Sequence, residues 1–166
     1  EMFQKAKLEK DPEVRRRLLT FAIGGGGFTG TELAGELAHW ADQLAIEYGI
    51  NRNEVRVVII EAHDTVLTIL DKKLIDKSVS YMTQKLGIEI ITSSCITKVT
   101  ENTVIVNDKE EIPTNTFIWT GGVKAKECFD NMVLKTGQGA RVCVDKYTKT
   151  QYENAYAIGD FSLFIT

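Results

Sequence analysis

Three cysteines and two histidines are all that 166 residues contain of either type, and neither is arranged for chemistry. Cys95, Cys128 and Cys143 are separated by 33 and 15 residues, which suits neither a C-x-x-C redox pair nor a zinc knuckle. Reduced cytosolic thiols are therefore the expectation. His39 and His63 are not spaced as a metal pair and have no serine or cysteine nucleophile motif beside them, so both read as surface or helix-face residues. Strong charge of one sign is missing as well. A net charge of -3 and a pI near 5.5 provide no basic field for nucleic acid or anionic lipid. No apolar run approaches the ~20 residues of a membrane span, and the start at Glu1-Met2-Phe3-Gln4-Lys5 lacks the pattern of a signal peptide. A soluble chain is expected, 43% hydrophobic and long enough for one good core with room for a second part-domain.

What the chain does have is glycine in one place. Gly24-Gly25-Gly26-Gly27-Phe28-Thr29-Gly30 follows the apolar run Leu18 to Ile23 and precedes Thr31-Glu32-Leu33-Ala34-Gly35-Glu36-Leu37-Ala38. In the G-x-G-x-x-G frame, Gly25 makes the tight turn, Gly27 lets the backbone approach a pyrophosphate, and Gly30 lets the helix pack on the strand. The first N–H groups of such a helix have no intrahelical partner and carry the positive end of its dipole, so an anion is favoured there. A flexible glycine loop is the alternative. The strand before and the amphipathic helix after argue against it.

The rest of the chain supports a parallel sheet. Asp11-Pro12-Glu13 reads as a cap and first turn inside a connecting helical segment over 2–18. Thr20 to Gly24 is the first strand. Thr29 to about Tyr48 is a helix with Leu33, Leu37, Trp40, Leu44 and Ala45 at three-to-four spacing, capped by Gly49. Val55 to Ile60 is nearly continuous in apolarity, as a strand buried on both faces should be. A second helix, about Lys73 to Leu86, ends at Gly87 before a strand at Ile88 to Ile91. This β-α-β-α-β order implies a parallel sheet covered by helices. Short β-prone pieces at Cys95 to Val99, Thr103 to Val106 and Glu110 to Ile112 predict an antiparallel meander, and Thr116 to Thr120 returns to the sheet. A short helix is expected around Ala125 to Met132, then strands at Arg141 to Val144 and Ala155 to Ile158. The fold class is α/β, a Rossmann-like three-layer arrangement.

In such a sheet the ligand lies beyond the carboxyl ends of the strands. Glu61 ends the second strand, where a carboxylate can accept from adenosine ribose hydroxyls and repel a 2′-phosphate, favouring NAD(H) over NADP(H). No arginine follows in Ala62-His63-Asp64-Thr65 to oppose this. Glu61 lies 31 residues after Gly30 instead of the usual ~20, an excess that the long helix and the polar loop Gly49 to Glu54 can absorb. An ordinary exposed carboxylate closing a strand is the competing explanation. Glu32, read as lying in the first helical turn, either complements the helix dipole or places a carboxylate near the nicotinamide. Thr120-Gly121-Gly122 either turns the chain or lets backbone approach the cofactor, and the dinucleotide pattern favours the second.

Three segments together, Gly25 to Leu37, Ile118-Trp119-Thr120-Gly121-Gly122-Val123 and Ala155-Tyr156-Ala157-Ile158-Gly159-Asp160, resemble the two-dinucleotide-binding flavoproteins, and among them type II NADH dehydrogenase. The resemblance runs in order over nearly the whole chain. It implies that Gly25, Gly26, Gly27, Phe28, Thr29, Gly30, Glu61 and Ala62 bind NADH, that Glu32 lies near the nicotinamide and Ile96 near the adenine, and that Thr120, Gly121 and Gly122 line the same cleft. It further implies that Gly159 and Asp160 contact FAD in the parent protein. Phe28 stands where the family commonly has proline, and Gly122 where alanine is common.

The family's first glycine turn, its quinone site and its C-terminal membrane-associating segment find no counterpart in these residues. The organisation implied is a linker helix over 1–19, an NAD(H)-binding domain over 20–134, and a returning segment of the FAD domain over 135–166. The implied parent passes a hydride from NADH to FAD and electrons on to quinone, at the cytoplasmic face of a membrane, with a homodimer left open. A related flavoprotein reductase with another acceptor, or a non-catalytic NAD(H)-binding module, are the alternatives. No catalytic acid, base or nucleophile on this chain is needed for hydride transfer between cofactors.

Overall fold

Leu18 and Leu19 lead from a helix into the first strand, and the alternating side chains of that strand fill two different cores. In the computed structural model, which describes residues 1–125 and 133–165, the chain divides into two units, Glu1–Gly121 and Gly122–Thr166.

The first unit opens with helices α1 (Met2–Leu8) and α2 (Pro12–Leu18). The Asp11 side chain caps α2 by accepting from the N–H groups of Glu13 and Val14, with Pro12 at the first helical position as expected. Strand β1 (Thr20–Gly24) runs through the glycine turn into α3 (Phe28–Tyr48), which Gly49 ends in the left-handed conformation at φ 66°. A 3-10 turn at Arg52–Glu54 then leads to β2 (Arg56–Ile60), followed by α4 (Lys72–Gln84) and β3 (Glu89–Ile91). The meander is β4 (Ile96–Val99), β5 (Thr103–Val106) and β6 (Glu110–Pro113), and β7 (Thr116–Trp119) completes the unit.

The parallel sheet has the order β3-β2-β1-β7, and β4-β5-β6 forms a separate antiparallel sheet. Both crossovers, through α3 and through α4, step in the same direction, so right-handed connections put both helices on one face. On that face Ile23, Val57 and Ile59 pack with Ala34, Ala38, Val66 and Met82. On the other, Ala22, Val58 and Ile60 pack with Val104, Val106 and Ile112 of the meander. This double coverage explains the continuous apolarity of β2, because odd and even side chains are both buried. A third cluster joins Phe3, Leu18 and Leu19 to Ala41, Ala45 and Val55.

Helix α3 corrects one expectation. Its buried stripe is Gly30, Ala34, Ala38, Ala41 and Ala45, whereas Trp40 is 59% exposed. Small residues allow the helix axis to approach the sheet closely, and Leu33, Leu37 and Leu44 flank the contact half-buried.

In the second unit, β8 (Val142–Val144) pairs in parallel with β9 (Ser162–Phe164) over a small core of Val142, Val144 and Ala157. The strand expected at Ala155 to Ile158 does not form. Tyr156 makes only an isolated bridge with Lys149, and Gly159, at φ 68°, turns the chain into a 3-10 segment at Gly159–Phe161 before β9. The helix expected at Ala125 to Met132 falls on 126–132, outside the described residues.

Candidate functional site

The glycine turn lies between the carboxyl ends of β1, β2 and β7 and is held by both neighbours. The Gly25 N–H donates to the Ile60 carbonyl at 2.8 Å, and Leu67 N–H donates to the Gly26 carbonyl at 2.8 Å. From the β7 side, the Thr120 hydroxyl lies 3.0 Å from the carbonyl oxygens of both Gly24 and Gly25, and its N–H donates to Gly24 at 2.8 Å. Leu67 takes the left-handed conformation, φ 54°, in the loop that reaches the turn.

Each glycine of the motif has a different surrounding. Gly25 adopts φ 110°, where a side chain would be strained, and a Cβ there would come 2.8 Å from the Gly121 nitrogen. At Gly30 a Cβ would overlap the Gly25 carbonyl oxygen and lie 2.7 Å from the Thr120 hydroxyl. Gly27 faces open space. As the N-cap of α3 it offers no side chain to the first-turn N–H groups, so these can meet an anion arriving from outside.

Glu61 is the acidic member of the site and is not the ordinary exposed carboxylate considered above. It is only 8% exposed, and it closes onto the glycine turn, where Oε2 accepts from the Gly26 N–H at 2.5 Å. Its Oε1 accepts from the backbone N–H of His63 at 2.9 Å and lies 2.7 Å from His63 Nδ1. Burial works against ionisation, but the N–H groups of His63 and Gly26 together with the His63 ring outweigh it, holding this carboxyl below the ordinary carboxylate range. Glu61 therefore stays charged at neutral pH.

The structure brings Gly25, Gly26, Gly27, Gly30, Glu61, Thr120 and Gly121 together at one end of the sheet. Ile96 joins them through its Cδ1, which sits where a Gly24 Cβ would come within 2.8 Å. Phe28 and Thr29 are exposed in the first turn of α3, and Ala62 is exposed beside Glu61. Glu32 needs correction: α3 begins at Phe28, so Glu32 lies past the first turn and loses the dipole explanation. It is exposed along a groove of about 450 Å³ between α3 and α4, with His39, Lys77 and Tyr81. Among the described residues no cluster of His, Cys, Asp and Glu suits a metal ion, and no helix is long and apolar enough to cross a membrane.

The family model described as pyridine nucleotide-disulphide oxidoreductase matches residues 2–164. The chain belongs to the pyridine nucleotide-disulphide oxidoreductase family. Among curated members, it is 29% identical over 150 residues to a type II NADH:quinone oxidoreductase of Staphylococcus aureus, covering 89% of this chain and 37% of that protein. It thus spans just over a third of the length of that relative. Solved structures with the same fold include NDH2 from Plasmodium falciparum in complex with NADH, with a TM-score of 0.84 and 22% identity over 98% of this chain and 36% of that one. A NAD-dependent persulfide reductase from A. fulgidus matches with a TM-score of 0.64 and 25% identity, over 86% of this chain and 25% of that one.

Three expected residues of this pyridine nucleotide-disulphide oxidoreductase chain, Gly122, Gly159 and Asp160, lie in the second unit. Gly159 and Asp160 are exposed in the Gly159–Phe161 segment, and the Asp160 carbonyl accepts from Arg141 Nε at 3.1 Å. Gly122, with φ 97°, begins that unit. Sequence reasoning missed His63 and Leu67. The only signal for His63 was its place two residues after the strand-ending acid, and Leu67 carried none.

Proposed function

We propose that this chain is the NADH-binding portion of a flavoprotein NADH dehydrogenase, in which hydride passes from NADH to FAD and electrons pass on to quinone. The observation that carries it is the glycine turn: closed under Gly30, open at Gly27, and followed by a helix without a side-chain cap. The likeness to the Staphylococcus aureus enzyme supports the choice of reaction. In this reading residues 1–19 link to a flavin domain, 20–134 bind NADH, and 135–166 return to the flavin domain.

Gly25 to Gly30 hold the pyrophosphate, with the first N–H groups of α3 facing it. Glu61 accepts from the adenosine ribose and repels a 2′-phosphate, with Ala62 beside it, and Ile96 borders the adenine. Glu32 lies near the nicotinamide, and Thr120 to Gly122 line the cleft. Bound FAD supplies the hydride acceptor, and Gly159 and Asp160, both exposed, are open to contact with its ribityl-phosphate region. The protein's contribution to the transfer is alignment, which needs no acid, base or nucleophile from this chain.

Titration of the chain with NADH and NADPH, followed by nicotinamide fluorescence, tests the reading. NADH is expected to bind more tightly, and Glu61→Ala to weaken it roughly tenfold or more. Tighter binding of NADPH would overturn the role given to Glu61.

A further inference from the structure

An ionised carboxylate offers about four lone-pair positions and can only accept hydrogen bonds. Three are taken at Glu61: His63 N and Nδ1 meet Oε1, and Gly26 N meets Oε2. Because the carboxylate accepts, His63 Nδ1 must carry the hydrogen at this contact. One position remains, on Oε2, the oxygen that already faces the glycine turn. The His63 side chain is 71% exposed while that of Glu61 is 11% exposed, so an outer ring fixes an inner carboxylate.

The loop does not depend on that ring for its course. Ser93 N–H donates to the His63 carbonyl, and Ser94 N–H to the Glu61 carbonyl at 2.9 Å. Removing the imidazole therefore takes one of the three hydrogen bonds from the carboxylate while leaving the backbone around it tied. Oε1 would keep the backbone N–H of His63 and Oε2 that of Gly26, but Oε1 would lose the shorter of its two contacts.

We infer that His63 is a positioning residue for Glu61, and that through this contact it sets how strongly the chain prefers NADH to NADPH. The inference rests on the dinucleotide reading above. A fixed carboxylate presents its remaining lone pair to a ribose hydroxyl and its charge to a 2′-phosphate. One with a hydrogen bond fewer is held less tightly and does both less well, so NADH loses affinity and NADPH does not.

The test is to titrate the wild-type chain, His63→Ala and His63→Asn with NADH and with NADPH at one pH. His63→Ala is expected to weaken NADH roughly tenfold, the effect of one hydrogen bond to a charged group, and to leave NADPH unchanged or slightly tighter. Asparagine carries an amide donor close to the position of Nδ1, so His63→Asn should restore the NADH-to-NADPH ratio to about twofold of wild type or better. An unchanged ratio in His63→Ala overturns the inference, and so does a loss that asparagine fails to restore. Those results leave NADH binding by the wild-type chain standing, whereas a wild-type chain that binds neither nucleotide removes the dinucleotide reading and this inference with it.

Discussion

The two units of the chain bury apolar surface to very different degrees. Residues 1–121 place a four-stranded parallel sheet between helices and a meander, and its central strands are buried on both faces. Among the described residues, the second unit has one two-stranded sheet over a small core of Val142, Val144 and Ala157, while Tyr147, Tyr156, Ile158 and Phe164 stay exposed. Two strands alone are marginal in water, because too little area leaves water to offset the entropy of ordering them. The glycine turn and Glu61 sit in the well-buried unit. The turn is held by contacts made from both sides, which that unit supplies.

The sharpest way to break the comparison is to remove the same chemical group from each unit. Ile59 is fully buried in β2, and Ile59→Ala is expected to cost roughly 2–5 kcal/mol through lost burial and a residual cavity. Ile158 is 73% exposed, and Ile158→Ala should stay within about 0.5 kcal/mol. Denaturant melts of the two variants would refute the contrast if they moved together. Next in size is Gly30→Ala, whose Cβ meets the backbone of Gly25 and so cannot be relieved by a rotamer change. A loss of roughly 1–3 kcal/mol is expected. Because the strain falls on the turn, NADH affinity should fall with it, and preserved affinity would show that the turn can relax.

The smallest expected effect sharpens the comparison at a single carboxyl. Glu61 has its pKa lowered in the folded state, so its ionised form adds stability above the ordinary carboxylate range near 4.5, and this is lost as pH falls through the lower folded value. Thermal melts of wild type and Glu61→Gln should therefore differ at neutral pH and converge in acid. A gap that stayed constant with pH would remove the charge of Glu61 from the account.

Much of the first unit was legible from local pattern. The β1 boundaries at Thr20 and Gly24, the cap at Asp11 and the left-handed stop at Gly49 each depend on residues within a few positions, and all agree with the sequence reading. Trp40 was misread because three-to-four spacing is met by two adjacent stripes of α3. The sheet chose the one lined with alanine, whose small side chains let the helix pack close against the strands. The strand at Ala155 to Ile158 was misread because β-prone residues do not name their partner, and β8 pairs with Ser162–Phe164 instead.

The amino-acid sequence by itself determined the elements of the first unit, the turn and the identity of its acid, because propensity, periodicity and glycine conformation act over short spans. Only the tertiary structure decided that Glu61 bonds Gly26, 35 residues away, that His63 holds its other oxygen, and that Thr120 reaches back 95 residues to the carbonyl of Gly25. Those contacts follow from strand order and register, which bring the ends of β1, β2 and β7 side by side. Register comes from burying both faces of a sheet at once, and no single segment carries that information.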